Sequence, residues 1–402
     1  MKTITIVGAG LAGHASAKAL RRQGFDGSIT IIGDESHRPY DRPPLSKEFL
    51  AGTAGEEDLT LEAEGEDLGA DWLLGTRAIS LDPAQRRVTM ADGSSIRSDA
   101  VILASGSFAR SFPALPSGAH ILRTIEEAAA LRAELVPGAH LVVVGSGFIG
   151  LEVASTARGL GLEVTVLGSS ETPLSRTLGH TVGVAVQALQ RGHGITIRNN
   201  VPVAAIRGTS RVTGVELVSG EVVPADVVVI GIGSLPATDW LSDSGLELSD
   251  GVLCGEFGAT SAPGVIAVGD CSAWFDPIRG RHNRVAHWTD SRERPVAAIT
   301  ALLTGNPPTR PLRPSYLWSD QCGSRIQFAG RLLGEEVAVT EAGSLETGDL
   351  FQVYRRAGEP VAVVGINQPR LVASWTKRLA AAAASAKSAE PSVHPEHERI
   401  GA

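Results

Sequence analysis

Apolar residues along this chain gather in short runs that end in glycine. Ile4-Thr5-Ile6-Val7 leads into Gly8-Ala9-Gly10-Leu11-Ala12-Gly13, and Leu141-Val142-Val143-Val144 into Gly145-Ser146-Gly147-Phe148-Ile149-Gly150. Uninterrupted apolar runs of this length, bounded by turn residues, predict strands covered on both faces. The pattern then changes to a helical spacing, which predicts helices over 11–22 and 149–159. Further apolar runs follow at 28–32 and 163–167 and predict the next strands. A helix over 125–135 precedes the second glycine turn. Val101-Ile102-Leu103-Ala104 and Val227-Val228-Val229-Ile230 close the two units, and Val265-Ile266-Ala267-Val268 reads as a strand returning to the first. A helix is expected near 290–303. Beyond the Pro-rich linker at 306–311, strands near 325–330, 336–340, 350–355 and 361–365 precede a helix over 368–382. Small and charged residues with Pro391 and Pro395 predict a disordered tail over 383–402.

Composition narrows this picture only modestly. A length of 402 residues suggests two or three domains. A hydrophobic share of 43% is that of an ordinary globular chain. The net charge of −8 argues against general nucleic-acid binding. No apolar run approaches the ~18 residues of a membrane span, and the first run is too short for a signal-peptide core. A cytoplasmic protein without membrane contact is therefore expected. Glu56 to Asp67 carries seven acids and no base, which reads as a solvated face. The three cysteines, Cys254, Cys271 and Cys322, form no C-x-x-C or C-x4-C pair, so a redox-active dithiol is not expected. His282 and His287 lack metal-ligand spacing, and no metal site is expected.

The two glycine turns carry the candidate chemistry. A strand, a glycine turn and a helix bring backbone N–H groups to a pyrophosphate at the positive end of the helix dipole. One such fingerprint is weak, but two in one chain suggest two dinucleotides held at once, with electrons passing between them. Asp34-Glu35 ends the second strand, where a carboxylate would meet a ribose 2′-OH. The matching stretch of the second unit, Leu167-Gly168-Ser169-Ser170, has no acid until Glu171 and no arginine until Arg176. The choice between NADH and NADPH therefore stays open, with a modest preference for NADH expected.

Longer motifs resemble a known family. Tyr40-Asp41-Arg42-Pro43-Pro44-Leu45-Ser46-Lys47 after Ile32-Gly33-Asp34-Glu35 is the most specific of them. Gly147-Phe148-Ile149-Gly150-Leu151-Glu152, Val268-Gly269-Asp270-Cys271 and Trp318-Ser319-Asp320-Gln321 follow in the same order. From residue 1 to about 378 the chain resembles the flavin-dependent ferredoxin reductases of bacterial oxygenase systems, the group of putidaredoxin reductase and the biphenyl dioxygenase ferredoxin reductases. The resemblance implies an α/β fold of two Rossmann-like domains plus a C-terminal α+β interface domain. The FAD domain (1–110 and 235–306) would be interrupted by the NAD(P) domain (111–234), with the third domain over 312–382.

It also implies residue roles. Gly8, Gly10, Ala12 and Gly13 would bind the FAD pyrophosphate, and Glu35 with Asp34 the adenosine ribose. Arg42, Lys47, Ala78, Arg123, Asp270 and Trp288 would contact the rest of FAD. Gly145, Gly147, Phe148, Ile149, Gly150 and Gly233 would bind NAD. Lys47, Glu152 and Trp318 would serve the redox step, Glu152 by pairing with Lys47. The implied activity is hydride transfer from NADH, or NADPH, to FAD and single-electron transfer to an iron–sulfur ferredoxin that feeds an oxygenase. Two alternatives share the fold: an NADH oxidase or peroxidase, and a flavin-binding regulatory protein resembling apoptosis-inducing factor. The oxidases and peroxidases of this fold use a cysteine beside the flavin, where this chain has Ser46. Ala286 stands where the family often has glutamate. Arg279, Arg281, Arg284, Arg292 and Arg294 form a basic cluster, read either as a solvated face or as a surface that steers an acidic ferredoxin.

Overall fold

The computed structural model describes residues 1–309, 312–344 and 348–389, with side chains as far as 382. The apolar runs become the central strands of two parallel sheets. In the first, Val265–Ala267, Ala100–Leu103, Thr3–Val7, Ser28–Ile32 and Ala70–Leu73 lie side by side in that order, all parallel. Ile4, Ile6, Ile31, Ile102 and Leu103 are fully buried there, as strands covered on both faces must be. The second sheet repeats the arrangement with Thr196–Arg198, Glu163–Leu167, His140–Val144, Val227–Ile230 and Ala119–His120.

Each unit also carries a three-stranded antiparallel sheet that periodicity did not reveal. They run through Ala78–Asp82, Arg87–Met90 and Ser95–Arg97, and through Val203–Gly208, Val212–Leu217 and Val222–Pro224. Their strands are short and only half covered, so little alternation shows. The chain crosses between units at Ser107–Ala109 and Ser234–Pro236, which pair antiparallel as a two-stranded ribbon. The second unit is thus inserted into the first through adjacent backbone segments.

A five-stranded sheet of Tyr316–Gln321, Ser324–Gly330, Glu359–Ile366, Leu350–Arg356 and Val337–Gly343, antiparallel throughout, forms the third layer. The helix Pro369–Ala389 packs Val372 and Leu379 against Phe351, Val353 and Val363 of this sheet. It corrects the expected helix end at 382, since it continues through 383–389 of the segment expected to be a tail. Small helix-favouring residues there sustain it. The rest of that tail, 390–402, and the linker residues 310 and 311 lie outside the described residues. The acidic stretch is only partly a solvated face, because Glu66 accepts from Lys18 at 2.8 Å and Glu62 pairs with Arg38. Among the described residues, no helix is long and apolar enough to cross a membrane.

Candidate functional site

Both glycine turns border one cavity of about 810 Å³. In the first turn the glycines do separate jobs. Gly8 has φ +122°, and a Cβ there would lie 2.0 Å from the Ala104 carbonyl oxygen. A Cβ at Gly13 would lie 1.8 Å from the Gly8 oxygen, so Gly13 lets the helix sit close on the strand. At Gly10 the nearest atom to such a Cβ is Arg42 Nη2 at 3.9 Å, so this glycine faces the opening. Gly10 caps the helix Leu11–Arg22 without a side-chain bond and no acid occupies its first turn. Its leading N–H groups and dipole are free for an anion.

The second turn repeats this division. Gly145, at φ +109°, and Gly150 pack against backbone, the oxygens of Gly231 and Gly145 lying 2.2 and 2.4 Å from their would-be Cβ atoms. Gly147 is open, with nothing nearer than 4.0 Å. Gly147, Phe148, Ile149 and Gly233 line the cavity, whereas Gly13, Gly145 and Gly150 stand behind it. These three therefore shape the turns and do not border the cavity.

Charged side chains along the wall are tied in pairs. Glu35 Oε1 accepts from Arg42 Nη2 at 2.6 Å, and its other oxygen accepts from the Tyr40 hydroxyl. Arg42 also donates to the Arg123 carbonyl at 2.5 Å. Asp34, more than half exposed at the edge of the cavity, pairs with Arg77 at 3.5 Å. Asp270 Oδ2 accepts from Arg123 Nη2 at 2.9 Å and Ser107 Oγ at 3.0 Å, and Oδ1 from Ser291 at 3.2 Å. Burial alone would raise this carboxyl, but Arg123 and the hydroxyl donors hold it below the usual carboxylate range.

Lys47 Nζ lies 2.9 Å from Glu152 Oε2, which also accepts from Ser46 Oγ at 2.5 Å. Glu152 Oε1 accepts from Ser319 Oγ at 2.6 Å. One buried carboxylate thus joins groups from all three parts of the chain. Trp288 and Trp318 meet edge to face with ring centroids 5.6 Å apart, and the Trp288 indole donates to Asp41 Oδ1 at 2.6 Å. Ala78 lies on the cavity as well. Sequence reasoning missed Ser46, Ser319 and Asp41 as partners, although all three stand inside quoted motifs. No periodicity marks a hydroxyl that meets a distant carboxylate.

Among the described residues no cysteine borders this cavity. All three cysteines are free, and burial pushes the Cys254 and Cys271 thiols up. The residues present therefore suit two dinucleotides: two open glycine cradles, two uncapped helix starts and anchored carboxylates. They do not supply a dithiol relay.

Comparison with known proteins places the chain. Residues 2–297 match the pyridine nucleotide-disulphide oxidoreductase family, and residues 316–393 match the reductase C-terminal family. The chain belongs to the pyridine nucleotide-disulphide oxidoreductases. Within that family it is 39% identical to the biphenyl dioxygenase system ferredoxin–NAD(+) reductase component of Paraburkholderia xenovorans (strain LB400), covering 88% of this chain and 86% of that protein. It is 33% identical to putidaredoxin reductase of Pseudomonas putida, covering 91% and 89%. The crystal structure of the covalent putidaredoxin reductase–putidaredoxin complex superposes with a TM-score of 0.90 at 31% identity, covering 94% of this chain and 93% of the other. Two Rossmann-like domains with a reductase C-terminal domain are the fold expected from the motifs, and FAD and NADH are the cofactors of such reductases.

The basic cluster needs correction. Arg279 is only 15% exposed; it donates to the Leu332 carbonyl and to Asn283 Oδ1, each at 2.5 Å, and lies 3.6 Å from Asp276. Arg284, 13% exposed, holds Asp250 at 2.9 Å, and Arg294, 10% exposed, holds Asp290 at 3.0 Å. Only Arg281 and Arg292 remain exposed. Clustering in sequence did not become clustering on the surface, because three of the guanidinium groups found carboxylates of the same chain.

Proposed function

We propose that this chain is an FAD-dependent NAD(P)H:ferredoxin reductase working in the cytoplasm, with an iron–sulfur ferredoxin as acceptor and an oxygenase downstream. The shared cavity carries this reading, since both cradles open on the same space and no thiol stands between them. Bound FAD supplies the chemistry of accepting a hydride and giving up electrons singly. The protein's part is to bind, orient and stabilise.

Gly10 and Ala12 present the helix start to the pyrophosphate, and Glu35 offers a carboxylate to the adenosine ribose. Asp270, held ionised by Arg123, would with it hold the ribityl-phosphate part of FAD. Lys47 provides a cation along the isoalloxazine, and Glu152 limits the cost of burying it. Trp288 and Trp318 close the ring's surroundings. Gly147, Phe148, Ile149 and Gly233 receive the nicotinamide nucleotide. The three free thiols suit a reducing compartment.

The purified protein is expected to be yellow, to hold FAD non-covalently, and to reduce a [2Fe–2S] ferredoxin with NADH at roughly 10 s⁻¹. Failure to bind FAD on reconstitution would defeat the whole reading. Rapid reduction of peroxide or oxygen with an inert ferredoxin would favour the oxidase alternative. Slow turnover with a persistent charge-transfer complex would favour the regulatory one.

Docking is tested on the corrected surface. Arg281→Glu should raise the KM for ferredoxin and flatten its salt dependence, because steering fades as the Debye length falls from ~10 Å at 0.1 M to ~3 Å at 1 M. Turnover with ferricyanide, which needs no docking surface, should stay within about twofold of the unaltered protein, since surface changes away from buried partners are nearly neutral. Arg279→Glu should lower activity with both acceptors, since it severs the link to Leu332. Equal losses in Arg281→Glu with the two acceptors would refute the docking role.

A further inference from the structure

Two buried polar atoms face each other at and just behind the cavity wall without a hydrogen-bond partner: His287 Nδ1 and Asp290 Oδ2, 3.8 Å apart. His287 borders the cavity and precedes the helix Trp288–Thr304, where its side chain makes no capping bond. Asp290 is fixed through its other oxygen, which accepts from Arg294 Nε and Ser315 Oγ, each at 3.0 Å. The unspent carboxylate oxygen is therefore held toward the imidazole. The separation exceeds a hydrogen bond, and a small rotation of the ring would close it.

The rest of the cavity explains why such a pair matters. Its cations are already matched: Arg42 with Glu35, Lys47 with Glu152, Arg123 with Asp270, Arg38 with Glu62 and Arg77 with Asp34. Asp41, bound to the Trp288 indole, adds a further carboxylate. The other histidine on the wall, His37, is occupied by Glu126 at 2.5 Å. A hydride entering this space brings one negative charge beyond those the paired cations already face.

We propose that His287, backed by Asp290, takes up the proton that balances the charge carried in by the hydride, and releases it when the electrons leave. The proposal rests on the ferredoxin reductase reading. In the first half-reaction, NADH gives up a hydride and becomes NAD⁺, the flavin gains that hydride and one negative charge, and one solvent proton adds to His287 Nδ1. In the second, two electrons go singly to two oxidised ferredoxins. The proton that came with the hydride and the proton on His287 then both return to solvent. The sum is one NADH and two oxidised ferredoxins giving NAD⁺, two reduced ferredoxins and one proton.

The electrostatics suit a reversible proton. Burial lowers the His287 pKa below its usual 6.5, while Asp290 and Asp270 pull it back up and Arg294 opposes them. Facing the ring are thus Asp290 and Arg294 from its own helix, and Asp270 with its partner Arg123 from the elements packed beside it. Burial favours the neutral imidazole while the site lacks the charge that the hydride brings. An added negative charge in the same low-dielectric space favours the protonated form.

The test is the pH dependence of the flavin's two-electron equilibrium, measured by dye-coupled titration of the holoenzyme. In the interval where His287 changes protonation, the equilibrium constant should change about a hundredfold per pH unit, or ~59 mV. His287→Asn should reduce this to about tenfold, or ~30 mV. Nitrogen NMR of histidine-labelled native enzyme gives a second readout, with His287 expected to pass from neutral to protonated on reduction at pH 7. Should the variant fail to retain FAD, this spectrum decides alone. An unchanged slope in the variant, or an imidazole that stays neutral on reduction, would overturn the proposal. An enzyme that still reduces ferredoxin would show that the functional reading survives; loss of flavin binding or ferredoxin reduction in the native protein would instead refute that reading.

Discussion

Glu152→Ala is expected to lower stability by about 3–5 kcal/mol, the cost of leaving a buried ion pair with one partner. The carboxylate is 3% exposed and accepts from Ser46 and Lys47 on one side and Ser319 on the other. Truncation would strand the Lys47 ammonium and leave two hydroxyls without an acceptor. A chain built of several sheets need not unfold in one step. The effect should therefore appear first where the third layer meets the second. In calorimetry the main transition should fall by roughly 10 °C, taking about 2–4 °C per kcal/mol. Hydrogen exchange should show early opening of Tyr316–Gln321, the strand carrying Ser319. Glu152→Gln keeps the shape and one acceptor oxygen, so it should lie between the two. A transition within about 2 °C of the native one in Glu152→Ala would show that water replaces the carboxylate at little cost.

Gly168→Glu alone should not deliver the selection for NADH that a carboxylate at this point provides. A Cβ at Gly168 would stand 2.7 Å from Ser146 Oγ and 3.2 Å from Ser146 Cβ, so the new side chain would have to push the Ser146 side chain of the glycine turn aside. Both nucleotides should bind less tightly in that variant. With Ser146→Gly added, the carboxylate has room, and its charge-assisted bond to the ribose is worth about 1.5–3 kcal/mol. Selectivity for NADH over NADPH, read as the ratio of kcat/KM values and checked by direct binding of each nucleotide, should then rise about 10- to 150-fold. The single variant matching the double one would show that Ser146 does not obstruct the position. The unaltered chain should prefer NADH by less than about a hundredfold, or ~2.7 kcal/mol. An arginine does stand nearby, on the adjoining strand: Arg198, whose carbonyl accepts from the Gly168 N–H at 2.9 Å. Its guanidinium is held by both oxygens of Glu221 at 2.6 Å.

Much of the architecture was legible before any coordinates. Ile4 to Val7 and Leu141 to Val144 could only be buried strands, because so many apolar side chains in succession have no wet face to show. Each glycine turn then forced a sharp reversal into a helix. The helix Leu11–Arg22 and the strands Ser28–Ile32 and Glu163–Leu167 start and stop where the pattern says they should. Local rules suffice there, since backbone geometry and the burial of one continuous run point to the same answer. The strand Tyr316–Gln321 escaped notice because its buried and half-buried positions alternate through polar residues.

The candidate site was only half legible, for a different physical reason. Sequence could show that Gly10 and Gly147 belong to glycine-rich turns between a strand and a helix, because the motif is local. It could not show that Gly13, Gly145 and Gly150 serve packing instead of the cavity, which depends on the backbone lying behind each. Nor could it say that Arg279, Arg284 and Arg294 were already committed. A charge acquires its role from whatever lies within hydrogen-bonding reach: Leu332 and Asp250 are brought there by distant segments, whereas Asp290 stands one turn before Arg294 on the same helix. The same holds for Glu152, whose partners Ser46 and Ser319 lie in separate parts of the chain. By itself the sequence determined the strands, the two glycine turns and the family to which they point. Only the tertiary structure decided which distant charges are paired, which glycines face the cavity, and that the neighbours His287 and Asp290 are buried with facing polar atoms unpartnered, because burial and long-range pairing depend on residues far apart in the chain.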